Sequence, residues 1–229
     1  MVGGHLPRGS DPRIIEIDTA RVMSRVERHF AVIDIGSNSI RLVVYDDLSR
    51  APFPRFNEKS FCALGAAIGD DGMLSQAAMD RAVDGIERFH AIATAMRVAT
   101  IDVIATEATR RAKNGRALID AIRARTGLET RLLTGEEEAT YAAHGVISGF
   151  FQPLGLVGDF GGGSLEIAQL LGDRVGPRLV SMPIGAIPVR AMMAEGMDVA
   201  KARIDAILRD NLAGQAVESI FYAIGGGWR

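Results

Sequence analysis

The chain has very little cysteine, since Cys62 is the only one among 229 residues. A single cysteine excludes an internal disulfide framework and a multi-cysteine zinc site, and it fits a reducing compartment. The chain also has little net charge, formally −2 at pH 7, which removes the main sequence argument for a nucleic-acid partner. It lacks the apolar run of about 20 residues that a membrane helix requires, so we expect a cytoplasmic protein without a membrane partner.

Short apolar runs alternate with amphipathic stretches along the rest of the chain. Hydrophobic residues make up 48% of it and charged residues 24%, as in ordinary globular proteins. This alternation predicts strands mixed with helices, and therefore an α/β fold. One amphipathic stretch begins at Thr134-Gly-Glu-Glu137, which has the form of a capping box and predicts a helix that runs to about Ile147.

Changes in composition suggest how the chain is divided. Residues 1–28 are polar or mixed in character, and we interpret them as a flexible arm or tag. The segment 149–155 contains a proline and two phenylalanines, which predicts a hinge between one domain at 29–148 and a second at 149–229. The residues at 225–229 look like an unfinished glycine turn, so we expect the second domain to be truncated.

A short pattern occurs twice in the chain at one constant offset. Asp34-Ile-Gly-Ser-Asn-Ser-Ile-Arg41 and Asp159-Phe-Gly-Gly-Gly-Ser-Leu-Glu166 each place an aspartate, a glycine turn and a serine between two predicted strands. Two copies, one on each side of the hinge, predict two related halves that face a shared cleft. Glycines let the backbone approach a ligand closely, and successive N–H groups can then point at an anion. Neither copy is a Walker A loop, because no Gly-Lys-Ser/Thr follows it.

We therefore expect the two turns to bind phosphate. The candidate phosphate-binding residues are Gly36, Ser37, Asn38, Ser39 and Arg41 in the first copy and Gly161, Gly162, Gly163 and Ser164 in the second. An aspartate repels a nearby phosphate unless a divalent cation lies between them, so Asp34 and Asp159 indicate Mg²⁺ held partly through water. The alternative for each copy is a plain β-hairpin with aspartate and glycine as turn formers, and for Arg41 an outward strand position.

Charged residues outside the turns are further candidates. Glu136, Glu137 and Glu138 lie in the first turn of the predicted helix, where the helix dipole alone favours carboxylates. Successive side chains are about 100° apart, so at most one faces a given cleft, where it would suit the deprotonation of a water. Arg110 and Arg111 follow a predicted strand, which suits a phosphate clamp, and a solvated basic helix is the alternative interpretation.

These motifs, in this order, resemble the exopolyphosphatase/guanosine pentaphosphate phosphatase family of the actin, Hsp70 and sugar-kinase superfamily. The resemblance runs from about Ala31 to Arg229. It rests on Val32–Ser39, Ala105–Arg110 with Asn114, Thr134–Ala139, Gly158–Ser164 with Glu166, and Pro183–Gly185. It implies an actin-like fold of two ribonuclease-H-like halves with the site between them.

The resemblance also implies a function. The expected protein is a Mg²⁺-dependent hydrolase, with K⁺ as a further candidate ion, that releases the terminal phosphate of inorganic polyphosphate or the γ-phosphate of guanosine pentaphosphate. By position, the resemblance makes Glu138 the base for the attacking water and Arg110 the catalytic arginine, and it puts Asp159 and Glu166 near the metal. It also implies a homodimer for the full-length protein. Glu107 departs from the family pattern, in which a small residue is usual.

Two other functions are alternatives at this point. A phosphotransferase of the same superfamily would pass phosphate from ATP to an acceptor, and Gly225–Gly227 would then be an adenosine loop. A non-catalytic sensor would bind a guanosine alarmone without releasing phosphate. The glutamate motif favours water as the acceptor, and therefore the hydrolase.

Overall fold

The computed structural model describes residues 29–214 and 217–228, so the arm expected at 1–28 lies outside the described residues. The strands are β1 (Phe30–Ile35), β2 (Ser39–Tyr45), β3 (Pro54–Phe61), β4 (Thr100–Ala105), β5 (Thr130–Leu132), β6 (Leu154–Phe160), β7 (Leu165–Leu171), β8 (Arg174–Met182) and β9 (Phe221–Ile224). The helices are α1 (Gln76–Ala95), α2 (Glu107–Arg111), α3 (Gly115–Thr126), α4 (Gly135–Gly149), α5 (Ala186–Glu195) and α6 (Met197–Leu212). Within the described ranges, none of the helices combines the length and the hydropathy that a membrane crossing needs.

The strands form two sheets that share one strand order at their centres. The first sheet runs β3-β2-β1-β4-β5 and the second runs β8-β7-β6-β9. In each sheet, a central strand pairs antiparallel with the next strand of the chain and parallel with a later one. This shared topology confirms the two related halves that the repeated pattern predicts.

The core of the first half lies between its sheet and helices α1 and α3. Alternate residues of β1, namely Ala31, Ile33 and Ile35, are buried there with Phe89 of α1, because successive strand side chains point to opposite faces. The other face of β1 carries Asp34. The residue pattern of β1 therefore supplies a core on one side and a candidate site residue on the other.

Helix α4 packs in the core of the second half. Its small residues Ala139 and Ala143 are fully buried together with Val157 of β6 and Ala168 of β7. The domain boundary expected at residues 148 and 149 therefore needs correction, because α4 lies before it in the chain but belongs to the second core. Helical periodicity shows which face of a helix is buried, whereas it does not show which sheet covers that face.

Candidate active site

The two glycine turns have the same hydrogen-bond geometry. Gly36 N donates to Ser39 O at 3.1 Å in the first turn, and Gly161 N donates to Ser164 O at 3.0 Å in the second. Each turn connects a central strand, β1 or β6, to its antiparallel neighbour. The aspartate near the end of that central strand therefore occupies the same position in both halves.

The turns of the two halves lie against each other. A Cβ atom built on Gly162 would lie 3.3 Å from both Asn38 N and Ser37 Cβ. A Cβ atom on Gly163 would lie 2.6 Å from Ser37 Oγ and would overlap the carboxylate of Glu107. A side chain at Gly163 would require the side chains of Glu107 and Ser37 to move. The predicted phosphate-binding turns are therefore in contact between the halves, and we call the surface that Ser37, Asn38, Gly162 and Gly163 form together the shared floor.

The segment Pro183–Gly185 and the start of α5 support the second turn. Gly185 N donates to Gly163 O at 3.3 Å, and Ala186 N donates to Gly161 O at 3.0 Å. A side chain at Gly185 would overlap the backbone of Gly163. In the sequence this segment is visible only as a motif, and its hydrogen bonds give it a physical role in fixing the turn.

Glu138 is the glutamate of the first turn of α4 that faces inward. The predicted capping box is present and engages Glu137, since Thr134 Oγ1 accepts from Glu137 N at 3.2 Å and the Glu137 carboxylate accepts from Thr134 N at 2.8 Å. Glu136 is exposed to solvent. The side chain of Glu138 is only 12% exposed and forms an ion pair with Arg110. Of the three adjacent carboxylates, one thus faces the cleft, as their helical spacing predicts.

Arg110 connects the first half to α4. It lies in α2, a helix of 5 residues, which from the sequence is only the alternative interpretation. Its Nη1 atom donates to Leu133 O at 2.5 Å and also to Glu138 Oε1. The neighbouring Arg111 points elsewhere and donates to Gly65 O at 3.0 Å. Arg110 is therefore the member of this arginine pair that reaches the candidate base.

Carboxylates converge beside the shared floor; they are Asp34, Glu138, Asp159 and Glu166. Burial, and then the charge of Asp159, raises the pKa of Asp34 to about 6, against the attraction of Arg41. Burial also raises the pKa of Asp159, and that of Glu166 although the hydroxyls of Ser164 and Ser181 donate to it. Buried carboxylates that face one another without full compensation are typical of a site that receives a cation.

The pKa of Glu138 is raised as well. Burial raises its pKa to about 7, the Arg110 hydrogen bond opposes this rise, and the charges of Glu166 and Asp34 reinforce it. A general base is most effective when its pKa lies near the working pH. The surroundings of Glu138 therefore suit the transfer of a proton from water at neutral pH.

The carboxylates are compatible with a hydrated magnesium ion. Across residues 29–214 and 217–228, no three His, Cys, Asp or Glu side chains lie close enough to enclose a metal by themselves. Mg²⁺ does not need such a cage, because it usually keeps several waters and takes one or two carboxylates together with phosphate oxygens. Asp34 and Asp159, whose charges interact in the cleft, would hold the ion in this way, with Glu166 beside them.

Two polar residues of the site lack a sequence signal of their own. Ser181 lies opposite Glu166 across the β7–β8 pair and donates its hydroxyl to Glu166 Oε1 at 2.8 Å. Glu107 accepts a hydrogen bond from Ser37 Oγ at 2.9 Å, so a carboxylate already engages a hydroxyl that the sequence analysis assigns to phosphate. Only the strand register and the contact between the turns reveal these two interactions.

Two other candidates from the sequence form hydrogen bonds outside the two glycine turns. Arg41 is exposed, and its Nε donates to Asn57 Oδ1 at 2.8 Å. The amide of Asn114 accepts from Leu74 N at 2.7 Å and donates to Leu74 O at 3.0 Å, which fixes the loop before α1. The assigned roles of the site residues stay predictions, and the experiments below test them.

The raised pKa of Glu138 predicts how the free energy of unfolding depends on pH. Its pKa rises from 4.5 to about 7 on folding, so its contribution to stability is complete below about pH 4.5 and is lost as the pH rises through about 7. We expect the free energy of unfolding of Glu138→Gln, minus that of the wild type, to increase by about 2 to 3 kcal/mol across this interval. Urea unfolding at a series of pH values measures the difference, with Glu136→Gln as the exposed control. If the free energies of unfolding of wild type and Glu138→Gln ran parallel across this pH range, the raised pKa of Glu138 would be contradicted.

Comparison with known proteins shows which family the chain resembles over most of its length. The family model described as the Ppx/GppA phosphatase family matches residues 43–219. Exopolyphosphatase 1 of Mycobacterium bovis is 31% identical over 159 residues, which cover 68% of this chain and 46% of that protein. The chain thus spans about half the length of the curated relatives it matches.

Solved structures confirm the fold class. The Aquifex aeolicus PPX-GPPA enzyme superposes with a TM-score of 0.72 at 25% identity, covering 86% of this chain and 68% of that chain. The ethanolamine utilization protein EutJ from Carboxydothermus hydrogenoformans gives a TM-score of 0.53 at 16% identity, covering 87% of this chain and 77% of that one. The second likeness shows the fold alone. Together they confirm the actin-like α/β fold expected from the sequence.

Proposed function

The chain belongs to the Ppx/GppA phosphatase family, and on that premise we propose that it is a Mg²⁺-dependent phosphohydrolase. Its substrate is inorganic polyphosphate, from which it releases the terminal phosphate; the γ-phosphate of guanosine pentaphosphate presents the same bond. One observation carries the proposal: a buried glutamate near neutral pKa, Glu138, is paired with Arg110 beside two glycine turns and their aspartates.

The turns and Arg110 position the phosphate. Backbone N–H groups at Gly162 and Gly163, with the side chain of Arg110, supply donors for the oxygens of a terminal phosphate. Phosphoryl transfer develops charge on those oxygens, so catalysis depends mainly on positioning and electrostatic stabilisation. Mg²⁺ held at Asp34 and Asp159 would supply further charge neutralisation.

Glu138 activates the water. It accepts a proton from the water as the water oxygen forms its bond to the terminal phosphorus. The bond from that phosphorus to the bridging oxygen breaks, and the bridging oxygen leaves on the shortened chain. The proton on Glu138 then passes to solvent, which restores the base for the next cycle.

A side-by-side assay tests the proposal. Phosphate release is measured on long polyphosphate, short polyphosphate and guanosine pentaphosphate, with Mg²⁺ and with excess EDTA. We expect release with Mg²⁺, loss of release with EDTA, and recovery when Mg²⁺ is restored. Tight binding without release would indicate a sensor, and phosphate transferred to an added acceptor would indicate a phosphotransferase. Either outcome would overturn the proposal that the chain is a hydrolase.

A further inference from the structure

Helix α2, which carries Arg110, is too short to be stable without contacts to the rest of the first half. It has 5 residues, whereas isolated helices of fewer than about 12 residues are marginal in water. The side chain of Thr106, at its N-terminus, makes no capping hydrogen bond to it, and its buried side chains, Ala108 and Thr109, are small. The orientation of α2 therefore depends on what its other side chains contact.

Glu107 and Arg111 of α2 form a closed ring of contacts with the first glycine turn. Ser37 Oγ donates to Glu107 Oε2 at 2.9 Å, and Glu107 Oε1 forms an ion pair with Arg111 Nε at 3.1 Å. Arg111 Nη2 donates to Gly65 O at 3.0 Å. Gly65 N donates to Ser37 O at 2.7 Å, which closes the ring. We call Ser37, Gly65, Glu107 and Arg111 the α2 ring.

Both oxygens of the Glu107 carboxylate are engaged inside the α2 ring. Its side chain is 12% exposed, whereas that of Arg111 is 49% exposed. Hydrogen bonds with an ionised partner are roughly twice as strong as neutral ones, and little water competes for a carboxylate that is mostly buried. Glu107 therefore fixes α2 more firmly than an exposed ion pair such as Arg116–Asp120 fixes α3.

The orientation of α2 sets the direction of the Arg110 side chain. Arg110 directly precedes Arg111, and successive helical side chains are about 100° apart around the helix axis. With Arg111 held in the ring, Arg110 reaches Leu133 O and Glu138. A rotation of α2 would displace the guanidinium from Glu138, and a displacement of about 1 Å in an active site can cost roughly 10²-fold in rate.

We propose that Glu107 is a positioning residue for Arg110. It holds α2 against the first glycine turn, so that the Arg110 guanidinium lies beside Glu138. This rests on the proposed function, in which Arg110 supplies donors for the terminal phosphate. Glu107 acts without touching the substrate, because its two carboxylate oxygens already have partners in Ser37 and Arg111.

Glu107→Ala tests the positioning role, with Glu129→Ala as the matched control, since Glu129 is an exposed glutamate that also pairs with an arginine of the first half. We expect kcat for phosphate release from polyphosphate to fall roughly 10- to 10²-fold in Glu107→Ala, with a smaller change in KM. Glu107→Gln should recover most of the rate, because its amide oxygen can accept from Arg111 and its amide nitrogen can donate to Ser37 Oγ. In the Arg110→Ala background, Glu107→Ala should lower kcat no further.

A measurement without substrate separates the positioning role from the proposed function. The guanidinium N–H resonances of Arg110, assigned by their loss in Arg110→Lys, report by NMR how fast these protons exchange with solvent. Their exchange should be roughly tenfold faster in Glu107→Ala, because the contacts of Arg110 open more often. Arg111→Ala opens the α2 ring on its more exposed side and should have the same effect, so it decides the matter if Glu107→Ala does not fold. Glu129→Ala should leave the exchange unchanged.

Three results would overturn the positioning role of Glu107. They are an equal loss of kcat from Glu107→Ala with and without Arg110, an equal loss from Glu129→Ala, and unchanged guanidinium exchange in both Glu107→Ala and Arg111→Ala. A wild type that releases no phosphate would overturn the proposed function alone, because the exchange measurement still decides the role of Glu107. A wild type that hydrolyses polyphosphate while Glu107→Ala keeps its full rate would overturn the positioning role alone.

Discussion

Glu138→Gln should lower kcat by roughly 10²- to 10⁴-fold, the range expected when a general base is removed. The glutamine keeps the size of the side chain and an oxygen that can still accept from Arg110, but it cannot take a proton from water. The glycine turns and the Mg²⁺ ligands are untouched, so KM should change little. Steady-state phosphate release from polyphosphate measures both constants, and calorimetry with the variant confirms that substrate still binds.

Glu136→Gln is the matched control for Glu138→Gln. Glu136 lies in the same turn of α4 but is exposed, so the same chemical change there should leave kcat unchanged. An equal loss in both variants would point to a general effect on the start of the helix. An unchanged kcat in Glu138→Gln would remove Glu138 from the role of base.

Arg110→Ala should lower kcat by roughly 10²- to 10³-fold, the cost of removing one donor that stabilises charge in a transition state. It removes the positive charge beside Glu138 and the hydrogen bond to Leu133 O. Because Arg110 holds the pKa of Glu138 down, its loss should also move the acidic limb of the pH–rate profile to higher pH. Arg110→Lys should recover only part of the rate, since an ammonium lacks the planar fork of a guanidinium.

The coupling between Arg110 and Glu138 can be measured directly. In a double-mutant cycle, Arg110→Ala and Glu138→Gln should lose less together than the product of their separate losses, because both act on the same water and phosphate. Arg116→Ala, at an exposed position paired with Asp120, is the control and should leave the rate unchanged. Independent, multiplicative losses in the cycle would contradict a joint role for the pair.

The sequence predicts the local elements well because their signals are local. The capping box of α4 is visible as a pattern of a few residues, and the structure has it where it is expected. The duplicated glycine turn predicts two related sheets, since the same short pattern imposes the same hairpin twice. Helix α2 is too short for periodicity to reveal it, so the sequence places Arg110 only after a strand.

The sequence does not show which residues far apart in the chain pack together. The small residues of α4 fit either sheet, and only the tertiary structure assigns them to the second core. Ser181 becomes a partner of Glu166 through cross-strand register, and Glu107 meets Ser37 because the two turns come into contact. These interactions join residues far apart in the chain, where no spacing rule applies.

The position of α4 has a consequence for the contact between the two halves. Glu138 moves with the second sheet through α4, whereas Arg110 is tied to the first sheet through Leu133. A relative rotation of the two halves would therefore change the distance between the Glu138 carboxylate and the Arg110 guanidinium.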